Sequence, residues 1–306
     1  MADLTYVQAI TIALVQGVTE LFPVSSLGHS VLVPALIGGS WAHLVTESSS
    51  HASEQSPYLA FIVALHVATA FSLLAFYWRD WVGIVSGLVR SARRRRIETS
   101  TERLGWLLVI ATIPVGITGL ALEHTFRTVF AKPEAAAIFL TVNGLILFAG
   151  ERLRRRGEVR QLAVAHSAGP NDLGDAGPTR ALETLEYKEA GLIGFFQTFA
   201  LLAGISRSGV TLVGGLVRGL SHEDAAKFAF LLATPIIFAA GVLKLPTLFG
   251  SAGAHIHGQV LIGALLAAAA SYVSIRFLTR YFHTRTLTPF AVYCLLGGLF
   301  CVVRFA

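Results

Sequence analysis

Two short stretches of this sequence carry polar and ionisable side chains inside otherwise apolar segments. The first, VQGVTELFPVSSLGHS, spans residues 15–30, and the second, LAGISRSGVTLVGG, spans residues 202–215. An arginine among glycines and aliphatic residues is costly unless something anionic meets it. Arg207 presents a planar fork of N–H donors that suits phosphate oxygens. The second stretch therefore predicts a site for an anion with several oxygens.

The first stretch adds a carboxyl group to this polar set. Gln16 and Glu20 are four residues apart, so they share one helix face, which points toward Ser26. A carboxylate beside a phosphate is repulsive by itself. Its presence indicates either that Glu20 holds a divalent cation that bridges to the phosphate, or that it orients a histidine or a water as base.

The composition identifies the protein class that must position these residues. Hydrophobic residues make up 54% of the 306 residues and charged residues only 14%, whereas soluble domains carry about 25% charged residues. Apolar runs of roughly 20 residues are candidates for transmembrane helices. They occur at 57–78, 104–122, 133–150, 223–243, 257–279 and 286–305. The chain is therefore predicted to be an all-α polytopic membrane protein with six spanning helices.

Other site types receive little support from the sequence. The net charge of +6 comes from Lys and Arg clustered between apolar segments, so no nucleic-acid partner is expected. Cys294 and Cys301 lie seven residues apart in the last apolar run, which predicts packing residues rather than a disulfide. The histidine pair His255 and His257 is interpreted as a surface-loop feature rather than a metal site, and no spacing typical of zinc ligands occurs.

The two polar stretches are copies of one another. A shift of 181 residues places Gln16 on Gln197 and Ser25 on Ser206. The same shift aligns Val24 with Ile205, Gly28 with Gly209, and Ser30 with Thr211. Three apolar runs follow each copy. The chain is thus predicted to contain a first repeat at 1–150, a cytoplasmic linker at 151–186 and a second repeat at 187–306.

Each copy is predicted to form a re-entrant helical hairpin, at 3–39 and 187–219. The apolar segments on either side of the break at Pro23 or Gly204 are too short to span a bilayer. Irregular backbone at membrane depth is tolerated where it is packed in protein or lines a cavity. A hairpin crosses zero times and three helices cross an odd number of times, so the repeats should be inverted and the two hairpins should meet near the midplane.

The distribution of basic residues predicts the orientation. Segments 79–103 and 151–188 carry seven basic residues each, and Arg276, Arg280 and Arg285 lie in 276–285. The positive-inside rule places these segments in the cytoplasm, with both termini outside. Basic residues of 79–103 are also suited to binding anionic lipid.

The motifs resemble those of the undecaprenyl-diphosphate phosphatases, the family also known for bacitracin resistance. QGVTELFPVSSLGH is similar to the family pattern (E/Q)xxxE followed by PxSSxGH, and AGISRSGVT is similar to PGxSRSxxT. The chain departs from the pattern at Ala203, which replaces a proline, and at Leu27, which replaces a small polar residue. Gln16 is a permitted variant, but it leaves Glu20 as the one carboxylate.

The resemblance implies hydrolysis of undecaprenyl diphosphate to undecaprenyl phosphate and inorganic phosphate, which recycles the lipid carrier of peptidoglycan synthesis. It implies a multi-pass protein of the bacterial inner (cytoplasmic) membrane, with the active site opening to the outer face. Its partners would be the lipid substrate and membrane lipids, and a homodimer is left open. A divalent cation, Mg²⁺ or Ca²⁺, is expected at Glu20.

The roles of the site residues follow from the same resemblance. The candidate catalytic residues are Glu20, Ser26, His29 and Arg207. Ser26 is the preferred nucleophile, with His29 as base or acid, and Glu20 binds the cation or orients His29. Direct attack by water, with Glu20 or His29 as base, is the alternative. The candidate substrate-binding residues are Gln16, Ser25, Gly204, Ser206, Ser208, Gly209 and Thr211.

Two other functions fit part of the pattern. A secondary transporter also uses inverted repeats and broken helices, but a simple anion carrier does not need Glu20 with Ser26 and His29. A type 2 phosphatidic acid phosphatase has a block similar to SSLGH, yet no histidine follows Arg207 until His222. His66, inside an apolar run, is either a member of the site or a packed histidine between helices.

Overall fold

The described residues fold almost entirely into α-helices, which satisfy most backbone hydrogen bonds within one segment. The computed structural model describes residues 4–50, 57–129, 132–167, 180–244 and 255–305. In these ranges the helices are α1 (Tyr6–Thr19), α2 (Ser26–Ile37), α3 (Ser40–Ser50), α4 (Pro57–Phe76), α5 (Trp78–Arg94), α6 (Ser100–Val129), α7 (Pro133–Ser167), α8 (Tyr187–Phe196), α9 (Arg207–Val217), α10 (His222–Lys244), α11 (His257–Tyr281) and α12 (Thr288–Phe305). Short 3₁₀ segments cover Leu182–Thr184 and Gln197–Leu201.

Six of these helices are long and apolar enough to cross a membrane. They are α4, α6, α7, α10, α11 and α12, and each coincides with one of the six predicted apolar runs. The prediction of a multi-pass helical protein is therefore confirmed, whereas the inverted arrangement of its halves stays a prediction.

The two polar stretches form two pairs of short helices, α1 with α2 and α8 with α9. We call residues 20–25 the first tip and residues 202–206 the second tip. Ser25 caps α2 by accepting a hydrogen bond from the N–H of Gly28 at 3.2 Å. Ser206 caps α9 in the same way, accepting from the N–H of Gly209 at 3.1 Å. The repeated Ser-x-x-Gly spacing is therefore the N-cap of the returning helix in both copies.

Glycine is required at the second tip. Gly204 has φ +114°, a conformation that other residues rarely adopt. A Cβ atom at this position would lie 2.5 Å from the carbonyl oxygen of Ala136 and 2.7 Å from the nitrogen of Leu140, both in α7. The second tip is thus packed directly against a long helix, which fixes its depth.

Long helices flank both helix pairs in equivalent ways. Helix α11 is bonded to the residues just before α1 and to the end of α1, because Gln259 donates to the carbonyl of Leu4 and Ser271 to that of Gly17, both at 3.0 Å. Likewise, α8 packs along α6, and Gly194 of α8 contacts Ala111 of α6. Helices α7 and α12 contact each other closely at Gly144 and Gly298. Helices α7 and α12 form a frame around the two tips.

Helix also occurs in segments for which the sequence analysis predicted none. Residues 40–50 form α3 and residues 78–94 form α5. The α5 residues Ile84, Gly87 and Ser91 are buried, and the hydroxyl of Ser91 accepts from the indole N–H of Trp106 in α6 at 3.0 Å. These helices are amphipathic rather than apolar, so a search for apolar runs misses them.

The first part of the predicted linker 151–186 is helical, because α7 continues without a break to Ser167. Ion pairs one turn apart support this extension, since the carboxylate of Glu151 contacts Arg154 at 3.0 Å and Arg155 at 3.4 Å. Most prolines and glycines of the predicted linker lie in 168–179, outside the described residues.

Candidate active site

The two tips contact each other, and side chains hold them together. The hydroxyl of Ser25 accepts a hydrogen bond from the N–H of Gly204 at 3.1 Å, in addition to its capping bond. The hydroxyl of Ser208, in the first turn of α9, donates to the carbonyl of Phe22 at 3.3 Å. The predicted meeting of the two polar stretches is therefore present in the structure.

Asn143 in α7 connects both tips at once. Its amide nitrogen donates to the carbonyl of Pro23 at 2.9 Å, and its amide oxygen accepts from the N–H of Ser206 at 2.9 Å. The side chain is completely buried. The sequence analysis missed this residue, although a lone asparagine in an apolar run is a recognisable sign of a polar contact between helices.

Glu20 lies at the centre of the polar cluster. One of its carboxylate oxygens accepts from Nη2 of Arg207 at 2.5 Å. The other oxygen accepts from the hydroxyl of Ser26 and lies 3.1 Å from Nε2 of His66. All of these side chains are largely buried, so the carboxylate is bound by donors from α2, α4 and α9. The structure thus brings together three of the four predicted catalytic residues and adds His66.

His66 and His29 have different environments. The ring of His66 faces an acceptor on each side, because Nδ1 lies 2.8 Å from the carbonyl of Ile62 and Nε2 faces Glu20. An imidazolium satisfies both contacts with its two N–H donors. His66 is thus a member of the site, and the histidine that Glu20 contacts is His66 rather than the expected His29.

The hydrogen bonds of the His29 ring do not involve Ser26. Its Nδ1 lies 2.7 Å from the carbonyl of Ser25, which can only accept, so this nitrogen carries the proton. Its Nε2 then accepts from the hydroxyl of Tyr293 at 2.7 Å, and the two rings are stacked. The sequence analysis did not find Tyr293, which comes from α12 and is distant in sequence.

Several polar groups at the junction remain open for a ligand. Nη1 of Arg207 and Nε2 of Gln16 are buried and have no hydrogen-bond partner among the described residues. The oxygen of the Gln16 amide accepts from Thr69, which is bonded in turn to Ser271. The N–H groups of the first two residues of α2 and α9 precede any intrahelical acceptor, whereas those of Gly28 and Gly209 are used by the caps. Two unpaired side-chain donors and two helix N-termini form an environment for an anion.

Other predicted binding residues use their donors in contacts within the protein. The hydroxyl of Thr211 donates to the carbonyl of Arg207 in its own helix at 2.9 Å. The N–H of Gly209 is used by the cap on Ser206, and the hydroxyls of Ser206 and Ser208 lie 3.0 Å apart. These residues shape the second tip, while Arg207 and Gln16 are among the buried side chains with an unpaired donor.

Comparison with known proteins gives one consistent result. The model of the family described as bacitracin resistance protein BacA matches residues 9–300, a range that includes both tips. The undecaprenyl-diphosphatase 2 of Frankia alni is 59% identical over 100% of this chain and 99% of its own length. The undecaprenyl-diphosphatase of Mycolicibacterium paratuberculosis is 57% identical, covering 97% of this chain and 96% of its own. The undecaprenyl-diphosphatase 2 of Burkholderia thailandensis is 43% identical, covering 95% and 94%.

Proposed function

The chain belongs to the bacitracin resistance protein BacA family, and we propose that its phosphatase reaction takes place where the two tips meet. The protein hydrolyses undecaprenyl diphosphate to undecaprenyl phosphate and inorganic phosphate, and so confers bacitracin resistance. The observation that carries the proposed site is the binding of one carboxylate, Glu20, to both Ser26 and Arg207, which come from different helix pairs.

In this proposal the diphosphate binds at the junction and the isoprenoid tail lies between helices. Arg207 uses its unpaired Nη1, Gln16 its unpaired Nε2, and α2 and α9 their first-turn N–H groups. In phosphoryl transfer, positioning and stabilisation of charge on the phosphate oxygens account for most of the catalysis. The donors need not rearrange during the reaction, because the frame of α7 and α12 already holds the tips.

We favour Ser26 as the nucleophile because its hydroxyl already donates to the carboxylate of Glu20. As the Ser26 oxygen bonds to the terminal phosphorus, its proton passes to Glu20, and the bridging P–O bond breaks to release undecaprenyl phosphate. Water then hydrolyses the phosphoserine and releases inorganic phosphate. Direct attack by water, with Glu20 as base, remains the alternative mechanism.

His29 would assist as an acid or base only after its ring changes partners, because Nε2 is bonded to Tyr293 and Nδ1 to the carbonyl of Ser25. The acid–base role proposed for His29 therefore requires that the Tyr293 hydrogen bond open when substrate binds. His66 needs no such change, since it already faces Glu20 and stabilises the carboxylate in the charged form.

We propose that a divalent cation arrives at the site with the substrate. No group of three or more His, Cys, Asp or Glu side chains suited to a metal occurs in the described part of the chain. Magnesium is commonly bound by one or two carboxylates together with substrate phosphates, and Glu20 supplies one carboxylate. We propose that Glu20 and the hydroxyl of Ser26 would hold Mg²⁺ or Ca²⁺, which would neutralise charge on the diphosphate.

We further propose an inverted repeat of two re-entrant hairpins in the inner membrane, with both termini outside and the site open to the outer face. The shared Ser-x-x-Gly caps and the equivalent packing of α1 on α11 and of α8 on α6 support the repeat. The arginine-rich ends of α5, α7 and α11 support the orientation. The start of α10 lies beside α5 and α7, because Lys227 contacts Asp80 of α5 and His222 contacts Glu151 of α7.

The proposed nucleophile is tested by trapping the intermediate. Purified protein is mixed with a polyprenyl diphosphate labelled in its terminal phosphate, quenched in acid and examined by mass spectrometry for phosphoserine. We expect phosphate on Ser26 in the wild type and a loss of turnover of about a thousandfold or more in Ser26→Ala. Ser30→Ala, one turn along the same helix, is the matched control. Turnover of Ser26→Ala near the control's rate would contradict covalent catalysis and favour direct attack by water.

A further inference from the structure

A cleft of about 440 Å³ lies outside the active site, on the surface of α11 near its C-terminal end. Residues of α11 line it at positions three and four apart, which places them on one face of the helix. The lining residues are Val273, Arg276, Phe277, Arg280, Tyr281, Thr284 and Arg285. The cleft thus combines three arginines with an apolar and aromatic wall.

The three arginines carry charge that the protein does not neutralise. The side chains of Arg276, Arg280 and Arg285 are exposed, and none has a hydrogen bond or ion pair within the described ranges. A second cleft, of about 600 Å³, is lined by Arg152, Arg155 and other residues of α7, but it also contains the carboxylate of Glu151. The cleft on α11 has no acidic lining residue, so it is the better environment for an anion.

The position of the apolar lining residues indicates an anion attached to an acyl chain. Val273 is 67% exposed and Phe277 is 50% exposed, and both lie on a helix long and apolar enough to span a membrane. The arginines follow them toward the end of α11. This order, with apolar surface first and guanidinium groups at the helix end, matches a phospholipid whose chains lie along the helix and whose phosphate lies at its end.

The aromatic lining residues, Phe277 and Tyr281, have defined contacts, and Phe277 contacts the first tip. The hydroxyl of Tyr281 donates to the carbonyl of Thr286 at 3.2 Å, which holds the turn after α11 against the cleft. The ring of Phe277 stacks on that of Phe22, with centroids 5.8 Å apart and planes 7° apart. Because Phe22 belongs to the first tip, an occupant packed on Phe277 would contact a residue that supports the tip.

We propose that this cleft binds the phosphate headgroup of an anionic phospholipid. The planar guanidinium groups of Arg276, Arg280 and Arg285 hold the phosphodiester, and Val273 and Phe277 contact the first part of an acyl chain. This site is separate from the one at the two tips, and it binds a lipid that the enzyme does not hydrolyse.

The test measures lipid binding rather than turnover, so it is independent of the catalytic proposal. Protein in detergent is titrated with phosphatidylglycerol or phosphatidylcholine, and bound lipid is counted by native mass spectrometry. We expect the wild type to prefer phosphatidylglycerol, and the variant carrying Arg276→Gln, Arg280→Gln and Arg285→Gln to bind it about tenfold or more weakly. The matched control, with Arg152→Gln, Arg155→Gln and Arg156→Gln, loses the same charge at the α7 cleft that contains Glu151 and should keep wild-type binding.

A phosphate competition and a photocrosslinking experiment test the lipid assignment further. Inorganic phosphate alone, at millimolar concentration, should not displace the lipid; if it does so fully, the ligand is a free anion and the lipid assignment is wrong. If the triple variant does not fold, a photoreactive phosphatidylglycerol is crosslinked to the wild type. Peptides covering 273–285 should then carry the label, and labelling elsewhere, or equal loss of binding in both triple variants, would overturn the proposal.

Discussion

At the scale of single residues, Arg207 has two tasks that a lysine cannot combine. One nitrogen of its guanidinium holds Glu20, while the other is buried without a partner among the described residues and is available to the diphosphate. Arg207→Lys keeps the charge but loses this fork, so we expect strongly reduced turnover. Arg207→Ala should reduce kcat/KM by about a hundredfold or more.

Phosphate release from the lipid and from a water-soluble diphosphate analogue measures this effect. Both activities should fall together, because the contact is with phosphate and not with the isoprenoid tail. Arg218→Ala, at the other end of α9, is the control and should be close to wild type. Each 1.4 kcal/mol corresponds to a tenfold change in rate, so a loss of less than about threefold is smaller than the loss of one charged contact. Such a result in Arg207→Ala would mean that the arginine is structural.

Glu20 is the one carboxylate of the site, and its removal should affect both catalysis and the response to metal. Glu20→Gln keeps the size of the side chain but removes the charge that binds Arg207 and would bind a cation. We expect loss of most activity and of stimulation by Mg²⁺ or Ca²⁺, measured with and without chelator. The exposed Glu134→Gln, at the start of α7, is the control and should be close to wild type. Normal metal-stimulated turnover in Glu20→Gln would place the cation elsewhere.

His66 is expected to be a positioning residue for Glu20. Replacing it by Gln removes the charged contact at 3.1 Å but leaves the bonds of Ser26 and Arg207 to the same carboxylate. The loss of one buried charge-assisted hydrogen bond corresponds to about tenfold in kcat. The pH profile of kcat should also change, which a purely structural role would not produce. The exposed His43→Gln is the control, and an unchanged profile in His66→Gln would contradict the role.

The sequence predicted the residues of the site better than their contacts. Glu20, Ser26 and Arg207 could be found because a carboxylate, a hydroxyl and a guanidinium stand next to breaks in apolar segments. The partner of Glu20 could not be assigned, since His29 and His66 are both within reach of a first tip whose geometry was unknown. Asn143 and Tyr293 lie alone in apolar helices, and their partners are 63 or more residues away in sequence.

At the scale of helices and turns, Asn143 is expected to set how the two tips meet. In Asn143→Leu the shape of the side chain is nearly kept, but the carbonyl of Pro23 and the N–H of Ser206 lose their buried partners. Each unsatisfied group costs about 1–3 kcal/mol, so the tips should separate or shift and kcat should fall by at least tenfold.

The control for Asn143 is Thr141→Val in the same helix, because the hydroxyl of Thr141 bonds only to its own helix, at the carbonyl of Ala137. Thermal unfolding in detergent and phosphate release are measured for both variants. If Asn143→Leu retains wild-type turnover, the contact between Ser25 and Gly204 is sufficient to hold the tips.

The helices themselves were predictable to the extent that they are apolar. The first residues of all six long helices were located to within four residues, and both helix pairs were found, because hydropathy and glycine or proline breaks mark them directly. Helices α3 and α5 were missed, since they have one polar face and show no continuous apolar run. The extension of α7 was missed because its stability comes from charged pairs such as Glu151 with Arg154.

At the scale of the whole molecule, the remaining prediction concerns orientation. The proposed inverted repeat places α3 outside and the arginine-rich α5 in the cytoplasm. A cysteine introduced at the exposed position His43 should react with an impermeant maleimide in intact cells, whereas one at the exposed Arg93 should react only after permeabilisation. The chain without added cysteine is the control, because Cys294 and Cys301 are buried. The opposite labelling pattern would reverse the orientation and move the site to the cytoplasmic side. Labelling of both positions from outside would contradict the inverted repeat itself, since α4 alone separates them and must cross the membrane once.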